Sequence, residues 1–367
     1  MDSFIGGLVT MTAFIFMLGL LVLVHELGHF LTARRLGIKV DEFGIGYPPR
    51  AVTLFEHEGV KYTLNWLPIG GFVRFGGEGE EIYGVGSLAL AAPWKKILVL
   101  IAGPLMNLVL TFVIFAGLIA VNGASTVDTV IDTVYEGTPA DAAGFASGDR
   151  LMEFDGVTIE PGDTAAVTAV AEGNAGTPID VVVERDGELV TLEVTPGPWT
   201  TEDGIDRVGL GILYVNEIEQ VGPLQAIGMG FTRTFVVLGL FMDGIGQLIG
   251  GLFGQSDPPE GGVAGVVGIA RGTGEIIERE GLTGFWYWTA LISLNLFVIN
   301  LLPIPALDGS HIMFSLIEIV RRGKKIPPEK EAMVHAVGFI MVLGLMVVVT
   351  ISDVANWISG QPVLPGG

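Results

Sequence analysis

The sequence predicts a polytopic α-helical membrane protein with four spanning helices, an inserted extracytoplasmic α/β domain and a β-hairpin on the cytoplasmic side. Three observations support this fold class. Half of the 367 residues are hydrophobic, the mean hydropathy is +0.60, and only 16% of the residues are charged, which is typical of polytopic membrane proteins. Four apolar stretches are long enough to cross a bilayer. A long acidic stretch separates the second from the third.

Each predicted span is bounded by charged or aromatic residues. The first covers residues 4–33 and has no charged residue between Ser3 and Val24. The second covers residues 94–121 and has two lysines at its start. The third begins at the aromatic cluster 285–288, which is typical of a membrane interface, and runs past Asn300 into a proline-rich turn. The fourth covers residues 332–351.

The net charge of −21 is unevenly distributed along the chain. Residues 123–223 hold 20 Asp and Glu against three Arg, which argues against nucleic acid as a partner. Lys and Arg concentrate in two other loops, and the positive-inside rule places both loops in the cytoplasm. The basic residues of these loops are Arg34, Arg35, Lys39, Arg50, Lys61, Arg74, Lys95 and Lys96, then Arg321, Arg322, Lys324, Lys325 and Lys330. The acidic block is therefore predicted to lie outside the cell membrane.

A fifth apolar stretch, Leu224–Phe253, is interrupted by Arg233 and Asp243. If it crossed the membrane, the two basic loops would lie on opposite faces, against the positive-inside rule. The pattern therefore favours an interfacial or partly inserted amphipathic helix on the outer face.

Two segments outside the spans have strand patterns. Val60–Trp66 and Phe72–Phe75 are predicted strands joined around Pro68-Ile69-Gly70-Gly71. Beside a membrane active site, such a hairpin can offer its edge to an extended substrate, although an ordinary cytoplasmic hairpin fits the pattern equally well. Residues 126–195 alternate strand patterns with two short helical patterns and predict a compact α/β module.

These observations predict eight consecutive regions. They are a first transmembrane helix (1–33), a cytoplasmic-side loop with a re-entrant hairpin (34–92), a second helix (93–122), the α/β module (123–200), an outer-face interfacial region (201–283), a third transmembrane segment (284–320), a cytoplasmic basic loop (321–331) and a fourth helix (332–353).

The first span contains the pentad His25-Glu26-Leu27-Gly28-His29. Ionisable groups are costly at membrane depth, so two His and a Glu there indicate a functional site. Residues four apart share one face of a helix, and both imidazoles can therefore reach one metal ion, with Glu26 placed to act on a water molecule. Because the chain has no cysteine, the ligands of a zinc site must be His, Asp or Glu. The pattern predicts zinc-dependent hydrolysis within a membrane.

A catalytic zinc site usually has three protein ligands, so one more must come from another segment. Asp308 ends an uncharged run and follows two helix-breaking prolines at 303 and 305. Irregular backbone at membrane depth is tolerated only beside protein or a cavity. His311 is the competing third ligand, and residue chemistry favours Asp308 without excluding His311.

Three motifs, taken together, resemble the site-2 protease family along essentially the whole chain. They are His25-Glu26-Leu27-Gly28-His29, Gly103-Pro104-Leu105-Met106-Asn107, and Asn300 followed by Leu307-Asp308-Gly309. Their order and spacing resemble the bacterial branch that includes the regulator of sigma-E protease. The α/β module, with Gly137-Thr138-Pro139-Ala140, Gly148-Asp149-Arg150 and Asp155-Gly156, resembles that branch's PDZ domains. One departure is that a single PDZ module is found here, whereas that regulator has two in tandem.

The resemblance implies Zn2+ bound by His25, His29 and Asp308, with Glu26 as the catalytic base. It implies that Asn300 contacts the substrate and that Pro68, Ile69, Gly70 and Gly71 belong to a re-entrant substrate-pairing loop. For Asn107 it implies a gating role, and helix packing explains that residue equally well. The implied partners are the lipid bilayer and single-span membrane proteins, such as anti-sigma factors or signal-peptide remnants. The implied location is the cytoplasmic membrane, with the PDZ domain outside and the active site toward the cytoplasm.

Two other classes of protein compete with the protease. One is a catalytically silent scaffold that recruits partners through the PDZ module. The presence of Glu26 and Asp308 argues against it, because a scaffold does not need them. A metal or ion transporter would more often show repeated halves, and the sequence has no such repeat. The sequence therefore favours a protease that cuts single transmembrane segments, after they unwind locally to expose the scissile carbonyl.

Overall fold

The computed structural model describes residues 2–76, 88–159, 164–200, 206–252 and 264–359. Within these ranges the chain forms eight α-helices: α1 (Asp2–Arg35), α2 (Pro93–Asn122), α3 (Pro139–Ala143), α4 (Thr164–Gly173), α5 (Pro223–Leu252), α6 (Val266–Leu301), α7 (Asp308–Val320) and α8 (Pro328–Ile358). A short 3-10 helix covers Leu88–Leu90.

The described residues also form ten strands: β1 (Val40–His57), β2 (Val60–Phe75), β3 (Ala124–Val134), β4 (Arg150–Phe154), β5 (Val157–Thr158), β6 (Ile179–Arg185), β7 (Glu188–Val194), β8 (Gly197–Thr200), β9 (Asp206–Gly209) and β10 (Ile212–Glu219). The chain divides into two compact units. One comprises Met1–Leu118 and Leu224–Gly367, and the other is Ile119–Pro223.

The first unit is built from long apolar helices. Among the described residues, five helices are long and apolar enough to cross a membrane: Ile5–Arg35, Pro93–Asn122, Pro223–Leu248, Val266–Leu301 and Glu329–Ile358. Length and composition do not separate a spanning α5 from an interfacial one. The predicted four-span topology, with α5 on the outer face, therefore remains a prediction.

Buried apolar side chains join these helices in three clusters. The N-terminal half of α1 packs on α6 through Phe14, Met17 and Phe285. Helix α2 packs on α5 and α6 through a second cluster that includes Phe115 and Leu294. The C-terminal half of α1 packs on β1 and β2 through Phe30, Ala33, Val40, Phe43 and Phe75. The two histidines of the pentad lie on the stretch of α1 between the first and third clusters.

Helix α6 begins earlier than the predicted third span. It starts at Val266 and contains a kink at Gly281, where φ is +63° and ψ is −144°. Residues on either side of the kink are helical. The region predicted as interfacial (201–283) therefore contains the first part of α6, in addition to β9, β10 and α5. The kink occurs at a glycine because a left-handed φ suits this residue and breaks a regular helix. It lies three residues before the predicted start of the span at residue 284.

The turn of the hairpin formed by β1 and β2 lies elsewhere than predicted. The sequence pattern predicts it around Pro68-Ile69-Gly70-Gly71, but these residues lie within β2, and the chain reverses at Glu58 and Gly59. Both turn residues have positive φ, 50° and 77°, as in the two-residue turns that suit the twist of antiparallel strands. The predicted turn position is therefore wrong.

The glycines at 70 and 71 instead bend β2 back beside β1. Residues 71–75 pair with 40–45, from Ile45 opposite Gly71 to Val40 opposite Phe75, and 60–65 pair with 50–57. Gly70 has a φ of +93°, which allows this bend. The buried Glu42 accepts hydrogen bonds from Arg50, Thr63 and Arg74, and these bonds join four stretches of the bent sheet.

The second unit is an α/β module. Its main sheet has the order β10-β3-β4-β6-β7, with β5 beside β4, while β8 and β9 form a separate pair. Its core includes the fully buried Ile131, Leu151, Phe154 and Val181. The predicted boundaries 123–200 leave out β10, which extends the unit to Pro223 because it pairs with β3.

One buried ion pair organises this second unit. Asp149 is fully buried and accepts two hydrogen bonds of 2.6 Å from the Arg185 guanidinium and one of 2.9 Å from the Ala146 amide. Burial acts to raise the pKa of the Asp149 carboxyl, but the bonds from Arg185 and Ala146 outweigh it, so this pKa lies below its usual value. The pair ties β6 to the loop before β4.

Candidate metal centre

Three side chains from two helices converge inside the first unit. His25 and His29 lie one turn apart on α1, and Asp308 is the first residue of α7. The Asp308 Oδ2 atom lies 3.0 Å from His25 Nε2 and 3.4 Å from His29 Nε2, and the two Nε2 atoms are 3.1 Å apart. A tetrahedral ion with bonds of about 2.0–2.1 Å separates its ligand atoms by roughly 3.3 Å. The three atoms therefore fit one zinc ion.

The hydrogen bond of His29 supports this fit. His29 is buried, and its Nδ1 donates to the Val99 carbonyl of α2 at 2.8 Å. A neutral imidazole that carries its proton on Nδ1 has a lone pair on Nε2, the atom that faces Asp308. Such a bond to a backbone carbonyl is the usual way in which a protein orients a metal-binding His.

Asn107 performs the corresponding role for His25. This Asn is fully buried in α2, and its amide lies 3.3 Å from His25 Nδ1. Among the described residues, the Asn107 Oδ1 atom has no hydrogen-bond partner. Rotating the amide by half a turn lets Oδ1 accept from His25 Nδ1–H. That rotamer gives Oδ1 a partner and leaves the lone pair of His25 on Nε2.

Two glycines allow α1 and α2 to come this close. A Cβ atom on Gly28 would lie 2.2 Å from the Ala102 carbonyl oxygen, and one on Gly103 would lie 2.3 Å from His29 Nε2 and 2.8 Å from His25 Nε2. Small residues permit such close contacts between helices in membranes. The space beside Gly103 is therefore part of the metal-binding cavity.

Helix α6 is held to α2 at the level of Asn107. The Ser293 hydroxyl donates to the Asn107 carbonyl at 2.8 Å, and the Thr111 hydroxyl donates to the Ala290 carbonyl at 3.2 Å. All four residues are fully buried. These bonds fix α6, whose end leads into the turn that carries Asp308.

The start of α7 is packed against the end of α6. A Cβ atom on Gly309 would lie 2.1 Å from the Leu302 carbonyl oxygen and 2.6 Å from that of Leu301. The prolines at 303 and 305 end α6, and α7 begins at Asp308 with Leu307 as its N-cap. Asp308 is therefore placed by a tight turn rather than by a flexible loop.

Glu26 lies between the ligands and the bent strand. It is partly buried, and its charged neighbours are His25, His29 and Asp308. A Cβ atom on Gly71 would lie 3.6 Å from Glu26 Cγ, and the Val73 amide is a hydrogen-bond partner of the Glu26 carboxylate. Residues 71–75 of β2 therefore border the metal centre.

The other predicted site residues lie outside the ligand cluster. His311, the competing third ligand, contacts His335 and Glu331 on α8, so Asp308 is the residue placed beside His25 and His29. The Asn300 amide donates to the Leu296 carbonyl of its own helix at 3.0 Å. Pro68 and Ile69 lie in β2, and their side chains fall outside the described part of the structure.

Two features of the site were missed in the sequence. The Val99 carbonyl is a backbone group, and no residue type signals it. The acceptor role of Asn107 could have been found from Gly103-Pro104-Leu105-Met106-Asn107, because a buried Asn four residues after a glycine contact lies on the same face of α2.

Comparisons with known proteins agree with this geometry. Peptidase family M50 matches residues 13–345. A relative from Clostridium perfringens is 36% identical over 342 residues, which cover 91% of this chain and 95% of the relative. Two proteins named zinc metalloprotease RasP also align along nearly the whole chain. That of Oceanobacillus iheyensis is 29% identical over 94% of this chain and 98% of its own length. That of Geobacillus kaustophilus is 30% identical over 94% and 97%. The chain therefore belongs to peptidase family M50, the site-2 protease family, and is a metallopeptidase whose cofactor is Zn2+.

Proposed function

We propose that this protein is an intramembrane metalloprotease that hydrolyses peptide bonds within or near the transmembrane segments of single-span membrane proteins, as in regulated intramembrane proteolysis. The observation that carries the proposal is the convergence of His25, His29 and Asp308, with ligand atoms 3.0–3.4 Å apart. They meet where α1, a helix apolar enough to cross a bilayer, contacts the start of α7. Glu26 beside them supplies the base.

The three ligand residues would hold one zinc ion and leave its fourth position open. When bound there, zinc would supply Lewis-acid chemistry, which lowers the pKa of a water molecule and polarises a carbonyl. Glu26 takes a proton from the attacking water and passes it to the leaving amine. His29 and His25 are held in the ligating tautomer by the Val99 carbonyl and by Asn107. We assign Asn107 this orienting role rather than gating.

Substrate binding is assigned to the bent part of β2. Residues 71–75 pair with β1 along one edge, and their other edge borders Glu26. An extended peptide that adds to this edge would present its carbonyls to the ligand cluster, since strand addition aligns the two backbones. A transmembrane helix must unwind locally to do so. Asn300, near the end of α6, would contact the substrate after its amide releases Leu296.

The second unit is assigned as a single PDZ domain that recognises or filters substrates. Its β10 is an edge strand of the described sheet. A cavity of about 320 Å³ is lined by Val167 and Ala171 of α4, by Trp199, and by residues 208–212 and Tyr214. An edge strand beside a cavity suits an extended peptide. We propose that the unit lies outside the cytoplasmic membrane, with the metal centre toward the cytoplasm, because the basic loops favour that orientation.

The experiment that tests this function is cleavage of tagged single-span substrates by the purified full-length protein in detergent. Each substrate is offered intact and with its outer domain removed. Wild type is compared with Glu26→Gln, and Glu329→Gln, an exposed Glu at the start of α8, serves as the matched control. Zinc content is measured on all three proteins.

We expect wild type and Glu329→Gln to cleave substrates, and Glu26→Gln to retain zinc while cleavage falls at least about 100-fold, the usual contribution of a general base. Zinc retained without cleavage of any substrate by wild type would refute the intramembrane protease. Equal cleavage by Glu26→Gln and wild type would refute Glu26 as the base.

A further inference from the structure

The turn that carries Asp308 depends on α8 for one of its hydrogen bonds. Between α6 and α7, the prolines at 303 and 305 have no N–H group. The Ile304 amide donates to the Leu302 carbonyl at 2.7 Å, and the Leu307 amide donates to the Ile304 carbonyl at 3.2 Å. The Ala306 amide instead donates to His335 Nδ1 of α8 at 3.2 Å.

Ala306 also has an unusual backbone conformation. Its φ is +73°, in the left-handed region that residues other than glycine rarely adopt. Such a conformation persists only when the surrounding structure holds it in place. The bond from the Ala306 amide to His335 is a contact of this kind, two residues before Asp308.

A second contact from α8 lies three residues after His335. A Cβ atom on Gly338 would lie 2.0 Å from Pro305 Cβ and 2.3 Å from its Cγ. The Pro305 ring therefore rests directly on the α8 backbone. Because residues three apart lie on one face of a helix, His335 and Gly338 contact the same turn side by side.

We propose that α8 positions the zinc ligand Asp308, with His335 as the acceptor that fixes Ala306 and Gly338 as the seat of Pro305. His335 does not touch the metal or the substrate and acts through the turn. This proposal rests on the zinc site proposed above. It adds to that site a set of contacts supplied by α8, the last long helix of the ligand-bearing unit.

His335 also belongs to a group that resembles a second metal site. Ligand atoms of His311, Glu331 and His335 lie within 4.8 Å of one another. The hydrogen bond from Ala306 argues against a metal, because a neutral imidazole that accepts on Nδ1 carries its proton on Nε2 and has no lone pair there. Among the described residues this Nε2 atom has no hydrogen-bond partner. The His311 ring stacks on that of His335 with centroids 4.2 Å apart, which holds His335 toward the turn.

Four variants of the full-length protein in detergent test the proposal. His335→Phe keeps an aromatic ring for stacking but removes the acceptor. His335→Asn restores an acceptor, since its Oδ1 can take the place of Nδ1. Gly338→Ala adds a methyl group against Pro305. Gly344→Ala, on the same helix with nothing within 4 Å of its Cβ position, is the matched control.

Two quantities are measured on each protein, the rate of zinc release to a chelator and the hydrogen exchange of the Ala306 amide in metal-free protein. We expect His335→Phe and Gly338→Ala to release zinc about 10-fold faster. This is the lower end of the range of about 10- to 100-fold that is usual when a residue supporting a metal ligand is lost. Ala306 should exchange faster in both variants. His335→Asn and Gly344→Ala should resemble wild type in both measurements.

Several results would overturn the proposal. Unchanged zinc release and exchange in His335→Phe would show that the acceptor is unimportant. Equal losses in His335→Phe and His335→Asn would assign the effect to packing. A second zinc ion per chain, lost in His335→Phe, would make the cluster a metal site. If wild type bound no zinc, the proposed function would fail, and Ala306 exchange would still decide whether His335 fixes the turn.

Discussion

Substitution of Gly103 by alanine should empty the metal centre while leaving the helices folded. Gly103 lies on α2, opposite the two histidines of α1. An added Cβ would lie 2.3 Å from His29 Nε2 and 2.8 Å from His25 Nε2. The new methyl group would therefore meet the two atoms that face the metal, and not the backbone of α1.

The size of the effect follows from these distances. Ordinary contact of a Cβ begins at 3.4 Å, so His29 Nε2 must retreat by about 1 Å. Zinc–ligand distances are held to within about 0.2 Å, and a displacement several times larger removes His29 as a ligand. We expect zinc affinity to fall by more than about 100-fold, beyond the usual effect of losing a supporting residue.

The assay is zinc content and chelator competition on the purified protein, with Gly117→Ala as the matched control. Gly117 lies on the same helix, and nothing lies within 4 Å of its Cβ position. Alanine favours a helix over glycine by about 1 kcal/mol, so neither variant should unfold α2. If Gly103→Ala bound zinc as tightly as wild type and cleaved substrate, the close approach of α1 and α2 at the metal would be refuted.

Two further predictions concern Asn107 and the Asp149–Arg185 pair. Asn107→Asp, which keeps an acceptor for His25 Nδ1–H, should retain zinc, whereas Asn107→Leu should release it about 10-fold faster; equal behaviour of the two would contradict the orienting role. Arg185→Ala should destabilise the second unit by about 3 kcal/mol, since it leaves a buried carboxylate unpaired. In wild type the pKa of Asp149 is depressed, so this stabilisation is present above pH of about 4 and is lost as the pH falls further. Amide exchange of β4 and β6 in the full-length protein measures the stability of the second unit, both in Arg185→Ala and as a function of pH. Equal stability of Arg185→Ala and of Asp186→Asn, a substitution of an exposed residue, would contradict a stabilising role of the ion pair.

The candidate ligands could be found in the sequence because charge is rare in its apolar stretches. His25, Glu26, His29 and Asp308 interrupt long uncharged runs, where an ionisable side chain has few roles besides function. Residue chemistry alone left His311 open as the third ligand. The structure separates the two, because α7 begins at Asp308 and directs His311 toward α8.

The fold was harder to predict wherever distant strands pair. The short helix Pro139–Ala143 begins with Thr138 and Pro139, and these two residues are a local signal of a helix start that the sequence alone provides. The pairing of β10 with β3 joins segments far apart in sequence, and no local pattern announces it. In β2, Gly70 and Gly71 look like a turn, but the register with β1 makes them a bend and leaves the turn to Glu58 and Gly59.

The two histidines depend on different kinds of support, and this difference predicts where the site is sensitive to mutation. His25 is oriented by a side chain, that of Asn107, which a single substitution can remove. His29 is oriented by the Val99 carbonyl, which no side-chain substitution removes. With His29 intact, that bond is broken by moving α2 away from α1. A Cβ atom on Gly28 would do so, because it would lie 2.2 Å from the Ala102 carbonyl oxygen of α2, and one on Gly103 would push against the His29 ring itself. Loss of His29 as a metal ligand should therefore arise from substitutions of these glycines, which have no side chain to bind the metal or the substrate.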